Sequence, residues 1–442
     1  MKKSILSIVT LTVLLGLVCL LGLSGCAGTV EESPQPPGES APPAGQSPPD
    51  EAAAIRFAGF SAGDDNRDTM RDMLALFADA HPQINAVDES AGYGDYFTEL
   101  AVQIGGGDAP DVFELNEDFN GFIDLDIIQP LGELAEVHGS DMGVYQEGLI
   151  KKFCTRSRQL MGLPFSFGTV MLVYNIDLFD EAGAAYPTDD WTWEDVLITA
   201  QQIAEPGEDI WGCYYAMDDF YEFYSKTAQN GGRILNKEGF TLDSPQNVEA
   251  LQWMQDLVWV FRVMPTEAER GGRSEQDLFA AGRLGMFMAD TGSFPDLRER
   301  CGDMRWGVAI EPGNVRKATR VSCNLLCVNT STQAPDAAYT LAHFLSSDPG
   351  VARLRLDAQW ELPPVSDPVL AEAYAGDTPP ENKAAVQGSL SYSLNPLVPD
   401  HYGLLADILV PHLQSVRDNT AIPREALDAA QWEAEAQIDL PE

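Results

Sequence analysis

Between residues 55 and 115 the hydrophobic period of the chain switches back and forth, and this alternation constrains the fold more than any other feature. "AIRFAGF" is the short apolar run of a strand, and Met70, Met73, Leu74, Phe77 and Ala80 then recur at helical spacing. "INAVDES" reads as a second strand, "YFTELAVQIG" as a second helix stopped by Gly105-Gly106-Gly107, and "PDVFELN" as a third strand. The order β-α-β-α-β predicts parallel strands joined by right-handed crossovers. Ligands of open parallel sheets bind beyond the carboxyl ends of the strands. The loops 60–65, 90–95 and 115–121 should therefore share one rim, which gathers Asp64, Tyr93, Asn116 and Asp118. Asp64 can equally cap the helix it precedes.

The first of these loops also contains "GFSAG" at 59–63, a match to the G-x-S-x-G elbow of serine hydrolases in a strand–turn–helix setting. Chemistry argues against a nucleophile at Ser61. Gly63 intervenes before the helix, and Asp64, Asp65 and Asp68 crowd its start. Those carboxylates suit a helix N-terminus but oppose the charge of a tetrahedral intermediate. A rim loop, with Gly59 and Gly63 allowing tight turns, is the better reading.

The chain is 442 residues long, 45% hydrophobic, which is enough for two or three domains. Its 68 acidic and 27 basic residues give a net charge of −41. Nucleic acid is excluded as an expected partner, because phosphates are bound by Lys and Arg patches. A neutral or cationic ligand suits the surface.

Lys2 and Lys3 are followed by an uncharged apolar run that ends in small residues, as an export signal does. Leu23-Ser24-Gly25-Cys26 resembles the lipobox of bacterial lipoproteins, which implies cleavage before Cys26 and a diacylglycerol on its sulfur as the membrane anchor. The alternative is an uncleaved span, and both place the remainder outside the cytoplasm. Residues 27–54 are rich in Pro, Gly, Ser and Ala, with Val30 the only large aliphatic. Such a segment is expected to be a disordered tether reaching roughly 30 Å as coil and roughly 85 Å if polyproline-like. Cys154, Cys213, Cys301, Cys323 and Cys327 remain for the body, an odd number without a C-x-x-C pair. Buried apolar thiols are expected, with no zinc site.

Beyond residue 150 the alternation is less regular. "LMGLPFSFGTVMLVYN" is a long extended stretch around Pro164, "DWTWEDVLITAQQIA" opens a helix after Thr192, and "NVEALQWMQDLVWVF" is another helix. "RLGMFMAD" and "MRWGVAI" read as strands, and "PDAAYTLAHFLSS" and "IPREALDAAQWEAEAQI" as helices. Several of these segments, with "GGGDAPDVFELN", "LMGLPFSFGTVMLVYNIDLFDEAG", "PTDDWTWEDVLITAQQIA", "FAAGRLGMFMADTGSF" and "ELPPV", resemble in content and order the motifs of the extracellular solute-binding proteins of family 1, the sugar-binding subunits of bacterial ABC importers. The resemblance covers about 55–430.

It implies an α/β, two-lobed periplasmic-binding-protein-like fold (type II). Each lobe would be a mostly parallel sheet flanked by helices, with three interlobe crossings near 164–168, 311–320 and 346–352. The first lobe would hold 55–165 plus 312–348, and the second 166–311 plus 349–442. It implies a monomer without cofactor or metal, a small-molecule solute (a sugar), and ABC permease subunits as partners. Sugars present apolar C–H faces and a rim of hydroxyls, so aromatic faces and carboxylate or amide groups are the expected contacts. On that basis Asp64, Asn116 and Asp118 are candidate hydroxyl acceptors. Tyr93, Phe165, Tyr215, Phe294 and Trp360 are candidate aromatic contacts. Phe294 stands where the family often carries Trp. The loop 116–127 partly matches a calcium-binding EF-hand, but position 1 is Asn116 and position 12 is Ile127, so no calcium is expected. A non-sugar solute such as a polyamine or peptide remains the alternative, and an exported esterase a more distant one.

Overall fold

The computed structural model describes residues 53–61, 66–116, 122, 126–360, 362–395 and 402–440. Eight strands form its main sheet system and are numbered here along the chain: β1 (Ala53–Ala58), β2 (Ile84–Asp88), β3 (Val112–Leu115), β4 (Leu163–Asn175), β5 (Trp211–Tyr214), β6 (Leu284–Asp290), β7 (Trp306–Ile310) and β8 (Val321–Val328). β1 lies between β2 and β3 and is parallel to both, as the alternation of residues 55–115 requires. β8 then joins β3 antiparallel, and β4 joins β8 antiparallel. In the second lobe β6 and β7 both run antiparallel to β4, and β5 runs parallel to β6. The sheets are thus mixed rather than mostly parallel. The reason is that strands entering from the other lobe arrive in the opposite sense.

β4 belongs to both lobes. Val321 pairs with Thr169, which ends the ladder to β8, and Asp290 pairs with Val170, which begins the ladder to β6. The first crossing is therefore a hydrogen-bonded strand, handed over between Thr169 and Val170. Its side chains are buried along almost its whole length, so it reads in sequence as a continuous apolar run. Gly168, one residue before the hand-over, leaves no room for a side chain. A Cβ there would lie 2.8 Å from Asp290 Oδ1 and 2.9 Å from Ser322 Oγ.

The second crossing occupies 311–320, between the end of β7 and the start of β8. The third differs from expectation. The helix Pro349–Asp357 stays with the first lobe, packed on the helices Arg67–Ala80 and Pro335–Ser347. Val351 shares an apolar cluster with Met70, Met73 and Leu345, and this burial keeps the segment in place. The chain engages the second lobe further on, at Glu381, whose N–H donates to Trp306 O at 3.0 Å and whose C=O accepts from Val308 N at 3.0 Å.

Local chemistry explains the helices that frame these sheets. Tyr93–Gly106 stops where Gly107 turns left-handed at φ 72°. Trp193–Ile203 opens on a capping box formed by Thr192 and Asp195. Phe220–Gln229 holds the second crossing through a buried ion cluster. Lys226 and Glu311 are fully buried, with Nζ 2.5 Å from Glu311 Oε1 and 3.0 Å from Glu222 Oε1. Gln229 donates to Glu311 at 2.7 Å and to Ala318 O at 2.8 Å, so both ends of the crossing are tied to one helix.

All five cysteines of the body are buried free thiols, as their apolar surroundings suggested. Burial pushes the thiols of Cys213 and Cys327 upward and that of Cys301 up to about 11. Among the described residues no helix is long and apolar enough to cross a membrane, and no cluster of three or more His, Cys, Asp or Glu could hold a metal ion. Cys26, the lipobox and residues 27–52 of the expected tether lie outside the described residues, and the tether's last two expected residues, Ala53 and Ala54, already belong to β1, where they pair with β2.

Candidate functional site

The ends of β1 and β3 build one wall of a cleft between the lobes. Glu114, on β3, is fully buried, and its Oε2 accepts the amides of Phe60 and Ser61, each at 3.0 Å. The loop 59–61 is thereby folded onto a carboxylate. Gly59 is obligatory here, because a Cβ would lie 2.8 Å from that same oxygen. Tyr96 completes the support: its hydroxyl donates to Glu114 O at 2.7 Å and accepts from Glu114 N at 3.1 Å.

The cleft measures about 1070 Å³. Phe60 and Tyr93 stand on the first-lobe wall with ring centroids 5.4 Å apart. Trp360 stands beyond the helix Pro349–Asp357, placed by Gln359 at a left-handed φ of 53°. Across the gap Tyr221 lies beneath the guanidinium of Arg320, 3.8 Å from its ring centroid. Asp290 ends β6 and accepts Gly292 N at 2.9 Å. A further charged wall joins Arg298, Asp377 and Lys383. Arg298 contacts Asp377 at 2.9 Å and Lys383 contacts it at 2.8 Å. Burial opposes ionisation of Asp377, but these two cations hold its carboxyl below its usual range. Burial lowers Lys383 despite that partner. Asn116, Ser166, Asn324 and Gln359 add amide and hydroxyl groups to the lining.

Of the residues singled out from sequence, Tyr93, Asn116, Phe294 and Trp360 line this cleft. Tyr93 is 63% exposed and offers its ring freely, whereas Phe294 is 4% exposed and turns edge-on to Trp306. Phe165 and Tyr215 do not reach it. Phe165 sits fully buried on β4 against Phe57, because both faces of that strand are covered. Tyr215 is 1% exposed, with Lys226 Nζ 4.6 Å from its ring centroid and Trp253 against its edge. Asp64 and Asp118 lie outside the described residues, as does most of the loop 116–127. The helix Arg67–Ala80 has Asn66 at its N-cap.

Sequence reasoning missed Glu114, Tyr221, Asp290, Arg320 and Lys383. One of these had a usable signal. In "WGCYYAMDDFYEFY" the helix starts at Phe220, with Phe220 and Phe223 buried, and its period turns Tyr221 away from them toward the cleft. The others come from separate elements, and only the fold brings them together.

Two lobes sharing a strand, with aromatic rings and hydrogen-bonding groups facing one cleft, define a two-lobed binding protein. The chain belongs to the bacterial extracellular solute-binding protein family, whose model matches residues 63–352. An ABC substrate-binding protein of Listeria monocytogenes, solved in complex with cycloalternan, is 31% identical. It superposes with a TM-score of 0.76, covering 87% of this chain and 98% of that one. UgpB of Mycobacterium tuberculosis, solved with glycerophosphocholine, has the same fold at 17% identity and a TM-score of 0.72, covering 87% of this chain and 98% of that one. The arabinooligosaccharide-binding protein of Halalkalibacterium halodurans is 27% identical over 183 residues, which span 39% of this chain and only 38% of that protein.

Proposed function

We propose that the chain captures an uncharged oligosaccharide in the interlobe cleft and delivers it to the permease of an ABC importer. The observation that carries this reading is the cleft itself. At about 1070 Å³ it lies just above the ~300–1,000 Å³ usual for small-molecule sites, with aromatic rings on both walls and amides between them. Tyr93, Trp360 and Tyr221 supply faces for pyranose C–H groups. Asn116, Asn324, Gln359 and Asp290 supply partners for hydroxyls, with Asp64 and Asp118 as further candidates from the sequence. Phe294 contributes a ring edge. The cycloalternan and arabinooligosaccharide ligands of relatives agree with this chemistry; the glycerophosphocholine of a more distant one keeps a non-sugar solute as the second reading. We read the cleft as a binding site rather than a catalytic one, in keeping with the solute-binding family to which the chain belongs.

A thermal-shift panel of arabinooligosaccharides, malto-oligosaccharides, cycloalternan, glycerophosphocholine and spermidine tests the proposal. A ligand at 100 times its Kd is expected to stabilise by about 2.7 kcal/mol. Trp360→Ala is expected to weaken carbohydrate binding by about 1–3 kcal/mol in calorimetry. If no carbohydrate shifts the melting point and spermidine or glycerophosphocholine does, the second reading replaces the first.

The same proposal places the lobes outside the cytoplasm, as monomers held to the outer face of the cytoplasmic membrane by lipid on Cys26 after removal of residues 1–25. The tether 27–54 would let them reach the permease. Cys26→Ala is expected to abolish uptake of labelled fatty acid and to leave the chain unprocessed or released. Fatty-acid labelling that survives this substitution would rule out Cys26 as the anchor.

A further inference from the structure

The second lobe carries a cavity of its own, of about 410 Å³, within the ~300–1,000 Å³ usual for small-molecule sites. None of the described residues that line it lines the cleft. One helix, Phe220–Gln229, borders both: Tyr221 lines the cleft, and Tyr224 and Ala228 line the cavity. Three further segments close it. The second crossing contributes Arg316, whose backbone N–H donates to Gln229 O at 3.1 Å. The turn after the helix contributes Arg233, just ahead of a hairpin formed by Leu235–Asn236 and Gly239–Phe240. These two segments lie side by side. A Cβ on Gly231 would be 3.7 Å from Val315 Cγ1, and Asn314 Nδ2 donates to Asn230 Oδ1 at 2.7 Å. The third segment is 393–395. Leu394 N donates to Thr319 O at 2.8 Å, and the Tyr224 hydroxyl donates to Asn395 O at 3.1 Å.

Charge sets this cavity apart. The chain has 68 acidic residues against 27 basic ones, yet among the described residues two arginines and no carboxylate line it. Elsewhere arginines are met by acids, as Arg56 is by Glu89 at 2.7 Å, Arg273 by Asp209 at 2.7 Å and Arg305 by Asp180 at 2.6 Å. Arg316 spends its Nε on Ala228 O at 2.7 Å, which fixes its guanidinium at the end of the helix. Burial raises the Tyr224 phenol and the Arg316 charge opposes that rise, so this charge acts on the cavity wall. Lys152 ties a third cation to the same wall, its Nζ donating to Ser393 O at 2.9 Å. Cations gathered without an acid repel one another, and an anion among them turns repulsion into attraction. Guanidinium forks match the paired oxygens of a phosphate or carboxylate.

We propose that this cavity is a second binding site, for a small oxyanion of the phosphate or carboxylate class, held between Arg233 and Arg316. A bound anion would join the second crossing to the hairpin of the second lobe. The inference is independent of which solute the cleft takes.

Calorimetry of the full chain with inorganic phosphate and with citrate, at constant ionic strength with chloride as the balancing ion, tests this. Saturable binding of at least one of the two, at one site per chain, is expected. Arg233→Gln and Arg316→Gln should each weaken it about tenfold or more, and Arg233→Lys, which keeps the charge but not the fork, should weaken it less. Should Arg316→Gln not fold, because its Nε serves the helix end, Arg316→Lys with Arg233→Gln makes the comparison. Arg320→Gln, in the cleft, should leave anion binding unchanged. No saturable binding of either anion overturns the proposal, as does binding that survives substitution of both Arg233 and Arg316. Loss of binding in Arg320→Gln, with the Arg233 and Arg316 variants like the parent, would place the anion in the cleft and overturn it as well.

Discussion

Lys226→Met is expected to destabilise the folded chain by about 3–5 kcal/mol, the scale of leaving a buried carboxylate without its partner. Lys226 is the cation shared by Glu311 and Glu222, and both Lys226 and Glu311 are fully buried. Two carboxylates against one ammonium cannot all be comfortable. Burial pushes Glu222 up to about 7, with Lys226 opposing the rise and Glu311 adding to it. The sign of the pH dependence follows. The folded state holds the Glu222 proton more tightly than the unfolded chain does. Its contribution is therefore complete below the ordinary carboxylate range and is lost as the pH climbs to about 7. Removing Lys226 takes away the one group that favours the charged form. The penalty should thus be larger at pH 8 than at pH 5, where the Glu222 carboxyl stays neutral. Urea unfolding at the two pH values measures this, and a loss below 1 kcal/mol at both would mean that the cluster is not what ties the second crossing down.

Glu114→Ala should cost about 2–4 kcal/mol and loosen the first-lobe rim. The substitution orphans the amides of Phe60 and Ser61, both of which donate to one carboxylate oxygen, and hydrogen bonds to charged groups contribute roughly 1.5–3 kcal/mol each. The relief of a buried charge offsets part of the loss. Glu114→Gln keeps the shape and one acceptor, so it should retain more of the stability. Because Phe60 carries Tyr93 edge-on at 5.4 Å, the alanine variant should also lose affinity for any solute that stacks on Tyr93. Stability and affinity equal to the parent's would show that the loop holds its form by other means.

The fold was legible in its repeated parts. Period-2 and period-3.6 patterns located β1, β2 and β3, the helices between them, and the long apolar stretch that became β4, because these segments are written by local burial. The direction of β8 was not legible, since nothing in "VSCNLLCVN" says from which lobe it arrives. The third crossing was misplaced for a related reason. Pro349 looks like a break, but Val351 and its neighbours are apolar enough to keep the next helix on the first lobe. At the cleft, Tyr93 and Trp360 were readable because Tyr93 opens the helix that follows the predicted rim and Trp360 comes just after the helix Pro349–Asp357, near a predicted crossing. Phe165 and Tyr215 were not separable from residues that line the cleft. Aromatic residues near a hinge or within a dense aromatic run serve the core as readily as the cleft. Charged contributors such as Arg320 and Lys383 gave no local sign, because their placement depends on pairings between distant segments.

β4 and β8 also dictate the order in which this molecule can be assembled. Leu115, on β3, finds its sheet neighbour only in Leu325, and Leu163 on β4 finds Leu326. The edge of the first lobe therefore stays open while the second-lobe strands β5, β6 and β7 emerge. A growing chain cannot finish its amino-terminal half first and then move on, as a row of independent domains would. Pairings so far apart in sequence close slowly, since chain entropy must be given up before the ladder rewards it. Such a polypeptide remains unfinished for most of its synthesis.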